Sequence, residues 1–286
     1  MTAMALAPLL ATALLSAPDS SLGTLDLGSR GTFALAHACT VQPRFDTTRS
    51  GKAEVLVLLS DVALDCAALD SRINPEAGAY EQAVEGGDGA LLALSFLPGL
   101  ERGPVSAYAT AFILGQSACE GCTLAATRTG DRLQGSGATS APLKLAEHAI
   151  RFDVRFDLPA PSAPAKGEPM AGGGEPAKAY LAYLKAFEAG DYAALQGLMA
   201  GDTARGKYGF YPDDAARSEA IRGEDKPRSM KVLQASRHGD SAILVVEFPH
   251  PWDENERAKG GVGLVLEDGT WRVREERIDL AGGMFD

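Results

Sequence analysis

From Ile150 to Leu158 the even positions are Ile, Phe, Val, Phe and Leu, and the odd ones are Arg or Asp. A strict period of two gives one face to a core and one to water, the signature of a strand in an antiparallel sheet. Weaker runs of the same kind lie at 31–37, 53–59, 89–97, 105–114, 122–128 and 132–137. Gly87-Asp88-Gly89 and Thr129-Gly130-Asp131 punctuate them as turns. With one short helix over 67–73, this half predicts an antiparallel β-rich unit, a sandwich or bent sheet of about six or seven strands. The period then vanishes. Residues 159–175 hold four prolines, four glycines and four alanines without apolar spacing, the composition of a linker.

Beyond it the period becomes helical. Tyr180, Leu184 and Phe187 share one face with Leu181 beside them, Pro176 suits a first turn, and Gly190 suits a helix end. Asp191 caps a second helix carrying Tyr192, Leu195, Leu198 and Met199, and Asp213 or Asp214 starts a third that reaches Ile221. After Pro227 alternation returns in two hairpins: 230–235 with 242–248 across Arg237-His-Gly-Asp240, and 261–266 with 270–280 across Glu267-Asp-Gly269. Helices followed by an antiparallel sheet make the class α+β. The expected division is a signal peptide over 1–21, a β-rich domain over 22–158, a linker over 159–175 and an α+β domain over 176–286.

The signal peptide rests on Ala3–Ala17, a run of apolar or small residues without a charge. It has the length of a signal-peptide core and falls short of the roughly 20 residues that span a bilayer. Small residues at Ser16 and Ala17 suit cleavage, and no cysteine nearby could carry a lipid anchor. The expected location is therefore periplasmic or secreted, with no integral membrane segment in the mature chain. Net charge is −11, with 11 basic against 16 acidic residues in 22–158 and 15 against 19 in 176–286. No basic cluster interrupts this acidic balance, which disfavours a nucleic-acid partner.

Four cysteines, Cys39, Cys66, Cys119 and Cys122, all precede the linker. An even number in an exported chain favours disulfides, and of the three pairings the short spacing favours Cys119 with Cys122 and Cys39 with Cys66. Cys119-Glu-Gly-Cys122 is followed by a strand-like stretch, not by the helix whose dipole would activate a redox thiol. A zinc reading would join His37 and Cys39 to that pair, but thiolates compete with oxidation outside the cell and Cys66 would be left over. No metal or cofactor is expected.

The order Ala177-Lys-Ala-Tyr-Leu-Ala-Tyr-Leu-Lys-Ala-Phe-Glu-Ala-Gly-Asp-Tyr, then Met230-Lys-Val-Leu, Gly239-Asp-Ser-Ala-Ile-Leu-Val-Val-Glu-Phe and Leu264-Val-Leu-Glu-Asp-Gly-Thr-Trp-Arg-Val, resembles the nuclear-transport-factor-2-like superfamily. That resemblance covers 176–280 and implies helices packed across a curved sheet around a conical pocket. The superfamily contains binding modules as well as isomerases and dehydratases, so fold alone does not fix function. Leu35-Ala-His-Ala and Ala53-Glu-Val-Leu-Val-Leu-Leu-Ser-Asp-Val-Ala-Leu more faintly resemble β-rich modules of exported bacterial proteins, with no activity implied.

No nucleophile–base, metalloprotease or phosphate-loop motif is present. The expected ligand site is the cone mouth, with Tyr208, Tyr211, His250 and Trp252 around a mainly apolar pocket for a small apolar ligand. No catalytic residue is assigned, and the leading reading is a non-catalytic extracytoplasmic binding or accessory protein. An isomerase, dehydratase or hydrolase using the same cone is the rival, and a carboxylate converging with a His or Tyr inside it would favour that. A third reading has a sheet edge of the first half docking a protein partner.

Overall fold

A computed structural model describes residues 22–45, 53–85, 89–109, 112–117, 119–145, 148–164, 166–201, 207–224, 226–250 and 256–279. The expected signal peptide and Trp252 lie outside these residues. Among the described residues of the first half, eleven strands build two antiparallel sheets. One sheet has the order β2(Thr32–Leu35), β1(Gly23–Asp26), β11(His148–Pro159), β9(Arg132–Thr139) and β8(Cys122–Thr129), with β10(Leu143–Leu145) also on β11. The other has the order β3(His37–Val41), β4(Val55–Ser60), β5(Ala90–Leu97), β6(Glu101–Ala109) and β7(Phe112–Ser117).

The alternation of β11 does what its sequence dictates. Ile150, Phe152, Val154 and Phe156 enter a core shared with Val57, Leu59, Leu92, Leu94 and Phe96 of the opposite sheet. Strand β4 has no such alternation, because every one of its residues is buried. Its second face, with Leu56 and Leu58, lies under α1(Cys66–Asp70) and α2(Pro75–Tyr80), the latter continued by a π-type turn, Glu81–Glu85. A strand covered on both sides reads as a near-continuous apolar run, here Val-Leu-Val-Leu-Leu before Ser60.

Two expected strands divide. The run 31–37 gives β2 and β3, which belong to different sheets and meet at Ala36, whose N–H donates to Ser60 C=O at 3.0 Å. The run 105–114 likewise ends β6 and begins β7. The helix expected over 67–73 is shorter, and α2 was not anticipated. Its start is nonetheless marked in the sequence: Asn74 accepts from Ala77 N–H at 3.3 Å, and Pro75 occupies the first turn.

The second half is α+β, as its periods require. After β12(Glu168–Pro169), helices α3(Gly174–Ala189), α4(Tyr192–Leu198) and α5(Asp214–Arg222) precede β13(Lys231–His238), β14(Ser241–Pro249), β15(Arg257–Glu267) and β16(Thr270–Asp279), and the sheet order is β12-β13-β14-β15-β16. Gly190 closes α3 in the left-handed conformation, and Asp191 and Asp213 cap α4 and α5 through Ala194 and Ala216 N–H. Part of the proline- and glycine-rich stretch is thus a fifth strand, with Glu168 and Pro169 paired to Arg237 and Ser236. No helix among the described residues is long and apolar enough to cross a membrane.

Each face of this sheet has its own cover. Ala242, Leu244, Val246 and Phe248 face the helices, whereas Ile243 and Val245 pack with Ile73 and Phe45 of the first half. One carboxylate fastens that second contact: Glu275 accepts Ile73 N–H at 2.7 Å and Asn74 N–H at 3.2 Å, and stands 3.2 Å from Arg72 Nε. Glycine at 263 makes room for it, since a methyl there would lie 2.7 Å from Glu275 Cγ. Two bulges set the alternation. Leu233 in β13 and Arg274 in β16 have no cross-strand partner, so the register shifts by one residue at each.

Candidate functional site

Tyr180, Tyr183, Leu184 and Phe187 recur at three- and four-residue intervals on α3 and are buried against the sheet, while Leu181 turns outward at 38% exposure. The bulge at Arg274 places Glu276 beneath them. Its side chain is 7% exposed and receives the Tyr180 hydroxyl on one oxygen and the Lys226 ammonium on the other. Tyr183 stacks on Tyr180 with ring centroids 5.8 Å apart. A second acid repeats the arrangement nearer the surface: Glu224 accepts from Tyr208 Oη at 2.8 Å and from Lys207 Nζ at 2.7 Å.

Burial first, and the Glu276 charge second, hold the phenols of Tyr180 and Tyr183 far above the ordinary tyrosine range. Burial and the bond to Glu224 do the same for Tyr208. All three therefore stay protonated, and Tyr180 and Tyr208 donate to Glu276 and Glu224.

Beside this cluster opens a cavity of about 480 Å³. Leu184, Phe187 and Ile221 give it an apolar wall. Arg222 ends α5, Glu224, Lys226, Arg228 and Ser229 come from the connection between α5 and β13, and Glu188 and His250 complete the polar side. Lys226 Nζ also lies 5.2 Å from the Phe187 ring centroid, a cation–π contact.

The expected mainly apolar pocket is corrected by this lining. Of the residues expected there, His250 borders the cavity. Tyr208 is buried in the core with its hydroxyl engaged by Glu224. Tyr211 packs on that core from outside, its ring centroid 4.3 Å from Phe210. Neither tyrosine lines the cavity, because Arg217 ties the carbonyls of both residues to α5. Tyr183, Lys226 and Glu276 were missed. Tyr183 could have been found, since it lies on the same helical face as Tyr180 and Phe187.

The cysteines sit on two sides of one sheet. Cys39 belongs to the layer beneath α1 and α2, and Cys119 and Cys122 to the core between the sheets. The Cα atoms of Cys39 and Cys66 are 5.5 Å apart and those of Cys119 and Cys122 5.4 Å apart, both disulfide separations. The zinc quartet with His37 therefore does not converge.

No family model matches this chain, and neither does any curated protein. None of the comparisons supports the likeness of the first half to exported β-rich modules. Among solved structures, the chain is similar to an NTF-2-like protein of unknown function from Silicibacter pomeroyi DSS-3, at 20% identity and a TM-score of 0.25, over 37% of this chain and 93% of that one. It is also similar to a DUF4783 family protein from Bacteroides ovatus ATCC 8483, at 16% identity and a TM-score of 0.24, over 36% of this chain and 94% of that one.

Proposed function

We propose that this is an exported binding or accessory protein whose cone takes a small molecule joining an apolar part to charged or hydrogen-bonding groups. The observation that carries the reading is the cavity itself, where Leu184, Phe187 and Ile221 face side chains of both signs. Its acids are already engaged, Glu224 by Lys207 and Tyr208, and Glu188 by Arg228 at 3.5 Å. Exposed Arg222 makes no ion pair with a described residue, which leaves a cation at the rim for a ligand's acidic group.

A panel of small molecules tested by ligand-observed NMR should give binders that carry both an apolar group and a carboxylate. Phe187→Ala and Arg222→Gln should each weaken them, by about fivefold or more. Binding confined to hydrocarbon-like compounds and indifferent to Arg222 would refute the reading. Export is tested separately by the intact mass of the protein made in a bacterial host. The secreted product should lack the first 17 or so residues, and a full-length cytosolic product would count against it.

A second reading, acid–base catalysis, is favoured by one observation: a buried carboxylate, Glu276, meets a tyrosine hydroxyl. Against it stand the engagement of both Glu276 oxygens and the locked protonation of the tyrosines. Turnover of any bound compound that disappears in Glu276→Gln while binding persists would establish the enzyme reading instead.

A further inference from the structure

We infer that the crevice between the two halves, on the opposite face of the same sheet, is a binding site for a small anion with an aromatic or aliphatic body. The crevice encloses about 540 Å³, the size of a small-molecule site, and domain junctions are where such sites concentrate. Its origin is the bulge at Leu233. That extra residue turns Gln234 and Ser236 to the face occupied by Ile243 and Val245, with which their strand pairs. Phe45 from the first half packs against Ile243 and Val245 from the other side, so the floor is apolar. Pro164 and Pro169 form a stiff wall that cannot donate a backbone hydrogen bond.

Charge decides the ligand class. Among the described residues the lining contains two cations, Arg44 and Lys166, and no carboxylate, in a chain whose net charge is −11. The Arg44 guanidinium donates to the Asp70 carbonyl at 3.2 and 3.0 Å from Nε and Nη2, which fixes its place at the rim, where the Asp70 carboxylate offsets part of its charge. Lys166 is exposed and borders the same space. Ser236 Oγ, 2.9 Å from His238 Nε2, adds a neutral hydrogen-bonding group. The cone presents both signs of charge and this crevice one, so an apolar anion can enter either and the test has to separate the two sites.

The test uses 8-anilinonaphthalene-1-sulfonate, an aromatic anion, and N-phenyl-1-naphthylamine, which lacks the sulfonate, in fluorescence titrations of the mature protein. The anion is expected to bind the more tightly, and its affinity to fall as salt is raised. Lys166→Glu, at an exposed position, should weaken it about fivefold. With the cone's cation removed by Arg222→Gln, saturable binding to the crevice should remain, and Gln234→Trp, which fills the crevice from an exposed position, should abolish it in that background. Equal affinity for the neutral probe, or anion binding insensitive to Lys166 and Gln234, would overturn the inference. Loss of binding in Arg222→Gln alone would assign the probe to the cone.

Discussion

Replacing Lys226 with methionine is expected to destabilise the protein by about 3–5 kcal/mol, the cost of leaving a buried charge without its partner. The side chains of Lys226 and Glu276 are 16% and 7% exposed, so solvent can replace little of what the ammonium supplies. Tyr180 would remain as a donor to one Glu276 oxygen, and the other oxygen would face Phe187 and the α3 ring stack. The partner experiment removes both charges. Lys226→Met with Glu276→Leu should recover most of the loss, because a well-packed apolar pair replaces a buried ion pair at little net cost. Urea unfolding at neutral pH measures both, and a single variant within about 1 kcal/mol of the parent would mean that Glu276 is better solvated than its burial indicates.

Replacing Cys39 and Cys66 together with alanine should cost about 3.5 kcal/mol, from the entropy of closing a loop with a sequence separation of 27. The corresponding loop between Cys119 and Cys122 spans a separation of 3 and should contribute less than half as much. Cys66 is the first residue of α1, so the longer link holds that helix to β3. The segment just beyond α1 carries Arg72, Ile73 and Asn74, the groups that meet Glu275. Hydrogen exchange in the alanine variant should therefore rise both in α1 and α2 and where β16 faces them. Peptide mapping that found another pairing, or unchanged melting of the double variant, would contradict this.

Legibility in the sequence followed burial. Strand β11 is covered on one side, its alternation is complete, and its limits were readable to within about two residues. Strand β4 is covered on both sides, and its apolar run could equally have been a short helix. Helix α2 is rich in Ala and Gly, so it has no apolar stripe to find, although its cap was visible. The site was less legible than the fold. Lys226 sits in a connection without period, and its role comes from meeting Glu276 some fifty positions later. Glu276 itself was concealed because the sequence shows two adjacent glutamates and does not show which one turns inward. Tyr208 and Tyr211 drew attention as aromatic residues in a loop, yet one closes a core and the other covers it.

The bulge in β16 has a consequence for length variation in this chain. Val273 pairs with Leu264 and Glu275 with Gly263, so Arg274 is a surplus residue between two pairs already in step. Loss of its codon would regularise the strand and still leave Glu276 under α3 and Glu275 against Ile73. Flattening the bulge with Arg274 retained would instead exchange the faces of everything on one side of it, sending Glu275 inward and Glu276 outward. At this point in the strand a one-residue deletion is therefore the change that keeps the faces in register, and a second insertion is the one that disturbs them.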